Sequence, residues 1–290
     1  YVLEVLESEF RGSKATGMVG RAEAAFSKHF EKKYSMGFVN GTGTLHTALE
    51  ALGIGPGDEV IVPPLTMSAT AFSVLQANAT PVFADVDPST FQIDVKSIVD
   101  RISDKTKAVM SVALYGGSPD YAAIKEVIGE IPLIEDNAEA FGTKYHGKEI
   151  GSFGIFSSYS FQSSKHLSSG EGGMLCTDSL EYADKARKFQ SLGYRAVGAT
   201  THKIDKKDIQ DPEYLRHEVL GWNYRMSDLT AGVVLGQIER SRELIEIRKN
   251  VGKQIFNQVT DISWLRPQAI YEGSEHSFWA APILLERDDI

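Results

Sequence analysis

Between Met36 and Asp136 a short apolar run gives way to a stretch of helical spacing four times, and a fifth apolar run then closes the series. The apolar runs are Met36 to Val39, Glu59 to Val62, Pro81 to Val86, Ala108 to Leu114 and Ile131 to Asp136. The helical stretches between them are the one containing Leu45, Ala48, Leu49 and Leu52, then Ser68 to Ala77, Val95 to Ile102 and Tyr121 to Ile128. Leu45, Ala48, Leu49 and Leu52 share one face at the i, i+3, i+4, i+7 spacing, and Gly53 stands where that helix ends. Runs that are apolar on both faces, alternating with helices, predict an α/β fold with a mainly parallel sheet covered on both sides. An amphipathic helix over residues 16 to 33 precedes the series, and a helix at Leu180 to Ser191 follows it.

In such sheets ligands collect beyond the carboxyl ends of the strands. The Ile131 run ends in Glu135-Asp136, so it delivers carboxylates to that edge, and the Met36 run enters Asn40-Gly41-Thr42-Gly43-Thr44 just before a helix. Strand, glycines and helix N-terminus together form an anion site, because free N–H groups and the helix dipole favour a phosphate. Short strands at Gly154 to Phe161 and Gly172 to Thr177 flank a loop with one lysine, Lys165, among hydroxyls and glycines, with no acid beside it until Glu171. A lysine held in a low-polarity pocket as the free amine condenses with carbonyls, including the aldehyde of pyridoxal phosphate (PLP). That cofactor needs an acid at its ring nitrogen to act as an electron sink, and Asp136 is the candidate. If the strand continues, Ala138 points the same way as Asp136 and its small side chain lets a ring lie flat, while Glu139 reaches the ring hydroxyl. Taken singly, each feature has a plainer reading: a lysine between serines as a surface amine, a strand-end aspartate as a turn residue, Gly-x-Gly as a tight turn. Their combination and order point to the cofactor.

The chain has 290 residues, 42% of them hydrophobic, which suffices for one large domain and a smaller piece. The boundary falls between 1–240 and 241–290, where strands at Ser263 to Arg266 and Phe278 to Leu285 open a further α/β unit that looks unfinished at Ile290. A net charge of -9 without a basic stripe argues against nucleic acid. The single cysteine, Cys176, excludes an intrachain disulfide and a cysteine metal cage, and reads as a core strand residue. No histidine pair has helical metal spacing, so no metal site is expected. Val60 to Ala84 carries no charge, but Pro63, Pro64 and Pro81 break it, so it reads as buried and not membrane-spanning. The N-terminus lacks the basic flank and apolar core of a signal peptide, and a cytoplasmic protein is expected. Ala199 to His217 has no clear period and reads as a surface loop. Ser227 is placed to cap a long helix carrying Val234, Ile238 and Ile245 on one face.

Asn40-Gly41-Thr42, Glu135-Asp136-Asn137-Ala138-Glu139-Ala140, Ser160-Phe161 followed by Lys165 and Gly170-Glu171-Gly172-Gly173, and Asn223-Tyr224-Arg225-Met226 occur in that order. With them the chain resembles the DegT/StrS family of PLP-dependent nucleotide-sugar aminotransferases, from about residue 10 to the end. The resemblance implies fold type I, the aspartate aminotransferase fold with a seven-stranded-type sheet, and an incomplete C-terminal small domain. It implies Lys165 as the amine that bonds the cofactor and shuttles protons, Asp136 at the pyridine nitrogen, and Glu139 near the ring hydroxyl. Thr42 and Gly43 would offer N–H groups to the phosphate and Ser160 its hydroxyl. Asn223 would reach the phosphate of a neighbouring subunit, making a homodimer with shared sites. Where the family has an aromatic residue to stack on the ring, this chain has Met67.

The implied reaction moves an amino group from an amino acid, glutamate by resemblance, to a keto-deoxysugar carried on a nucleotide. Relatives that dehydrate have His in place of the lysine, so Lys165 argues against that branch. A transaminase acting on a cyclitol or other ring ketone, and a catalytically silent sensor or regulatory protein of the same fold, are the alternatives. His166 and His46 read as packing residues, Arg225 as either an anion ligand or a surface ion pair, and His276 to Trp279 as bordering the sugar.

Overall fold

The computed structural model describes residues 1–8, 17–200 and 210–287. Seven strands form the central sheet: β1 (Tyr34–Phe38), β2 (Glu59–Val62), β3 (Thr80–Phe83), β4 (Thr106–Val112), β5 (Leu133–Asp136), β8 (Phe156–Ser160) and β9 (Gly173–Thr177). Their order across the sheet is β1-β9-β8-β5-β4-β2-β3. All pairings from β8 to β3 are parallel, while β9 runs antiparallel to both its neighbours. Two antiparallel steps restore the direction, so β1 points the same way as the parallel strands, and six carboxyl ends share one edge.

Alternation along the strands divides the core between the two faces. Val60, Val62, Ala108, Met110 and Ile134 join one cluster with helices α3 (Gly41–Ala51), α4 (Ala69–Gln76) and α7 (Leu180–Gln190). Ile61, Val109 and Leu133 point the other way, towards α5 (Val95–Arg101) and α6 (Tyr121–Ile128). A third cluster packs α1 (Val2–Glu7), α2 (Met18–His29) and α8 (Asp228–Glu239) over Tyr159, Met174 and Cys176 of β8 and β9. Cys176 is buried in its strand, and burial pushes its thiol up to about 12.

Helix starts follow from the residues before them. Asn40, Asp94, Asp120, Ser179 and Ser227 each accept a backbone N–H from the first turn of the helix they precede. The helix that Ser227 caps stops at Glu239, and α9 (Ser241–Val259) begins after Arg240. What the residue spacing presents as one long helix is therefore two, with Val234 and Ile238 on the first and Ile245 on the second. Three two-residue strands, β6 (Lys144–Tyr145), β7 (Lys148–Glu149) and β11 (Ser274–Glu275), make a small sheet that periodicity does not reveal. The expected strand from Phe278 shrinks to β12 (Ile283–Leu285), paired with β10 (Leu265–Pro267), and Phe278 itself is left-handed, with φ 57. Residues 201–209, inside the expected surface loop, lie outside the described residues. Among the described residues no helix is long and apolar enough to cross a membrane.

Candidate active site

A cavity of about 500 Å³ opens at the edge where the carboxyl ends of β1, β2, β4, β5 and β8 meet. Asn40, Gly41 and Thr42 line it from β1, Thr66 and Met67 from β2, Val112 from β4, Asp136, Ala138 and Glu139 from β5, Ser160 and Lys165 from β8.

The two acids that end β5 point to opposite faces, and their environments differ accordingly. Glu135 is fully buried and accepts backbone N–H groups from Gly151 (2.5 Å), Phe153 (2.7 Å) and Gly154 (2.6 Å), which moors the loop that leads into β8. Asp136 faces α4 and the cavity; its Oδ2 accepts the hydroxyl of Thr70 at 3.1 Å and its Oδ1 the N–H of Ala138 at 3.2 Å. Burial pushes its carboxyl up to about 6, against the pull of the Ala138 N–H, the Thr70 hydroxyl and the charge of Lys165. At neutral pH it is still mostly ionised, so the cavity floor carries a negative charge.

Lys165 Nζ lies 3.1 Å from Glu139 Oε1, with both side chains about nine-tenths buried. The acid that the linear sequence does not put beside the lysine is thus supplied from β5 by the fold. The other oxygen of Glu139 accepts the Tyr115 N–H at 3.0 Å. Lys165 Nζ also stands 4.3 Å from the ring centroid of Trp279.

The expectations for Ala138 and for the glycine stretch need correcting. The strand does not continue through Ala138: β5 ends at Asp136, and Ala138 is oriented by its N–H bond to that carboxylate. The glycine stretch after β1 is no loop but the first turn of α3, with Asn40 as cap. The cap takes the Gly43 N–H at 2.8 Å, and Gly43 is buried against the Tyr224 ring, so Gly43 does not reach the cavity while Gly41 and Thr42 do. Asn223 is exposed, bridges to Ser191, and is off the cavity of its own chain. Met67 lines the cavity with 69% of its surface exposed.

The histidines and Arg225 stand aside. His166 is buried and its imidazole is lowered to about 3 by burial, with Nε2 on the Ser277 carbonyl at 3.0 Å. His276 is likewise lowered to about 3 by burial and bonds Gln268, while His46 is buried between Tyr224 and Glu50. Arg225 is exposed, and its own backbone bridges to Phe38. Among His276 to Trp279, Trp279 alone lines the cavity. Thr70, by contrast, has only a weak signal in the sequence, a threonine one turn after Thr66; in the fold it is fully buried on the face of α4 that also carries Ser73 and Val74, and its hydroxyl meets that of Thr66 at 3.0 Å.

The residues present fit PLP. A buried carboxylate tied to Thr70 sits on the floor, an amine and a second carboxylate stand beside it, and a helix N-terminus opens onto the same space. There, a Cβ on Gly41 would come 3.1 Å from that of Ser160, so glycine keeps the approach open.

Comparison with known proteins agrees with this geometry. The chain is 36% identical over 286 residues to GDP-perosamine synthase of Escherichia coli O157:H7, spanning 98% of this chain and 74% of that protein. It is 34% identical over 274 residues to an L-glutamine:2-deoxy-scyllo-inosose aminotransferase of Micromonospora echinospora, covering 93% of this chain and 64% of that one. The solved E. coli GDP-4-keto-6-deoxy-D-mannose-3-dehydratase with bound hydrated PLP superposes with a TM-score of 0.87 at 25% identity, covering 99% of this chain and 76% of that chain. The model of the DegT/DnrJ/EryC1/StrS aminotransferase family matches residues 1–290. With that match over a fold-type-I architecture and a cavity built for the cofactor, the chain belongs to the DegT/DnrJ/EryC1/StrS family of PLP-dependent aminotransferases.

Proposed function

We propose that the protein transfers an amino group from L-glutamate to a keto-deoxysugar linked to a nucleotide, giving an amino sugar. The observation that carries this reading is the meeting of Asp136, Glu139 and Lys165 around one cavity, in a chain whose near relative is named a GDP-perosamine synthase. PLP, when bound, supplies an electron sink that stabilises negative charge at the substrate carbon.

The protein's own residues do the rest. Asp136 offers an ionised carboxylate at the ring nitrogen, and Thr70 and Ala138 fix the direction of its two oxygens. Thr42, Ser160 and the N-terminus of α3 would hold the phosphate end, and Glu139 would meet the ring hydroxyl. Ala138 and Met67 would flank the ring. Lys165 takes a proton from the substrate carbon and later gives it up, which requires its amine within hydrogen-bond reach of that carbon; the Glu139 carboxylate, 3.1 Å from Nζ, holds that amine at the cavity.

The site is shared in this reading: Asn223, exposed on its own chain, contributes to the phosphate site of a second copy, so the working unit is a cytoplasmic homodimer. Exposed Met67, Phe72, Leu75, Leu220 and Trp222 supply apolar surface for that contact. Residues 241–290 are read as the opening of a second α/β unit.

A set of nucleotide keto sugars incubated with glutamate and PLP tests the reaction. One of them yields 2-oxoglutarate and a product of the amino-sugar mass, and Lys165→Ala abolishes both; turnover surviving in that variant removes Lys165 from the role. The likeness to the scyllo-inosose aminotransferase favours a ring ketone without a nucleotide as the second reading, and turnover of a cyclitol ketone alone would select it.

A further inference from the structure

The C-terminal part of the chain reaches the lysine through a set of contacts that cofactor binding does not itself require. Arg248, on α9, donates from Nη2 to the carbonyls of Ser164 (3.0 Å) and Lys165 (3.1 Å) and from Nη1 to the carbonyl of Trp279 (3.2 Å). The Trp279 indole N–H donates to the same Ser164 carbonyl at 3.0 Å. One planar guanidinium therefore ties the peptide carrying the catalytic amine to the peptide carrying the indole, with a fork of donors that an ammonium does not possess.

The indole is braced through its ring as well. Its ring stacks on Tyr115 with centroids 6.2 Å apart and planes 4° apart. Tyr115 in turn donates its N–H to Glu139, the carboxylate that pairs with Lys165. Lys165, Glu139, Tyr115 and Trp279 so form a closed circuit, and the ammonium completes it 4.3 Å from the indole centroid. Two side-chain-bearing residues on or beside this circuit hold left-handed backbone, Tyr115 (φ 62) and Phe278 (φ 57). Such conformations persist where the surroundings impose them, and they gather at working sites. The surroundings here are tight: a Cβ on Gly116 would come 2.6 Å from the Phe278 nitrogen, and one on Gly252 of α9 would run into the Phe278 ring.

We propose that Trp279 and Arg248 are positioning residues for Lys165: the indole face seats the ammonium whenever Lys165 holds a proton, and the guanidinium fixes where that seat stands. The proposal rests on the aminotransferase reading, since a lysine that moves protons is the one that needs a defined place for its charged form. Only the proton changes hands, from substrate carbon to Nζ and onward; Trp279 and Arg248 form and break no covalent bond.

The test uses Trp279→Phe, Trp279→Leu, Arg248→Lys and Arg248→Met in the full chain, with two readouts. In glutamate half-turnover, Trp279→Leu lowers kcat about 30-fold, the factor that loss of a desolvated cation–π contact corresponds to, and leaves KM within about two-fold. Trp279→Phe, which keeps an aromatic face, loses only a few-fold, and Arg248→Lys falls between Arg248→Met and the unaltered protein. In cofactor-free protein, trace acetic anhydride labelling read by mass spectrometry finds Lys165 several-fold more reactive in Trp279→Leu and Arg248→Met than in the parent. Equal kcat in the Phe and Leu variants, or Lys165 labelling unchanged in both Trp279→Leu and Arg248→Met, would overturn the proposal. If the parent itself releases no 2-oxoglutarate, the aminotransferase reading fails, and the labelling series still reports separately on the seat.

Discussion

Replacing Asp136 by Asn should stabilise the cofactor-free protein while weakening its grip on PLP. The carboxyl is buried and titrates at about 6 instead of 3.8, so the folded state pays to keep it ionised. A difference of about 2 pH units corresponds to roughly 3 kcal/mol once both states are ionised. The sign follows from proton binding: between 3.8 and about 6 the folded form holds more proton than the unfolded form, so stability falls as pH rises through that window. Asparagine has nothing to ionise; its amide oxygen accepts the Ala138 N–H, and its NH2 donates to Thr70, whose hydroxyl turns to Thr66. The variant's advantage should therefore be about 3 kcal/mol above pH 7, about 1.5 at pH 5 and about 0.5 at pH 4. Urea unfolding of both proteins without cofactor at those three pH values measures it. Absorbance titration with PLP should show weaker binding by the variant at every pH. An advantage that is absent at pH 8, or that does not shrink towards pH 4, would mean that burial of the Asp136 carboxylate costs the fold nothing.

Other consequences are as direct. Glu135→Gln turns part of a carboxylate that serves three backbone N–H groups into a donor facing donors, and should cost about 2–4 kcal/mol in urea unfolding while leaving turnover per folded molecule unchanged. Gly41→Ala puts a methyl 3.1 Å from the Ser160 Cβ at the mouth of the anion site; PLP should bind about 10-fold more weakly, with no loss of thermal stability because alanine favours the helix. Cys176, buried with a thiol pushed up to about 12, should resist a disulfide reagent at pH 8 until the protein is unfolded.

How much of this was legible in the chain depends on how local the cause is. Strand β2 and helix α6 occur at the predicted residues because their apolar period and their flanking turns are local signals. Ser227 was recognisable as a cap for the same reason, yet the break at Arg240 was not, since apolar spacing runs on across it. The two-residue strands β6, β7 and β11 are too short to carry a period at all. Asp136 and Lys165 stood out by chemistry, but what surrounds them is long-range: Thr70 lies 66 positions before Asp136, and Arg248 lies 83 after Lys165. Gly43 shows the opposite failure, where a glycine in a motif was credited with a free N–H that the neighbouring Asn40 side chain had already taken. The cluster of Glu139 with Lys165 could be foreseen only from an assumed cofactor between them, whereas in the fold the two meet directly.

Every role proposed for this cavity depends on Lys165 being the amine that bears the cofactor. Reduction of the PLP-treated protein with borohydride, followed by peptide mass mapping, tests it most directly. One phosphopyridoxyl label is expected, on the peptide containing Lys165, and it disappears when that lysine is changed to alanine; a label centred on another lysine, or no label on any peptide, is incompatible with Lys165 as the cofactor's amine.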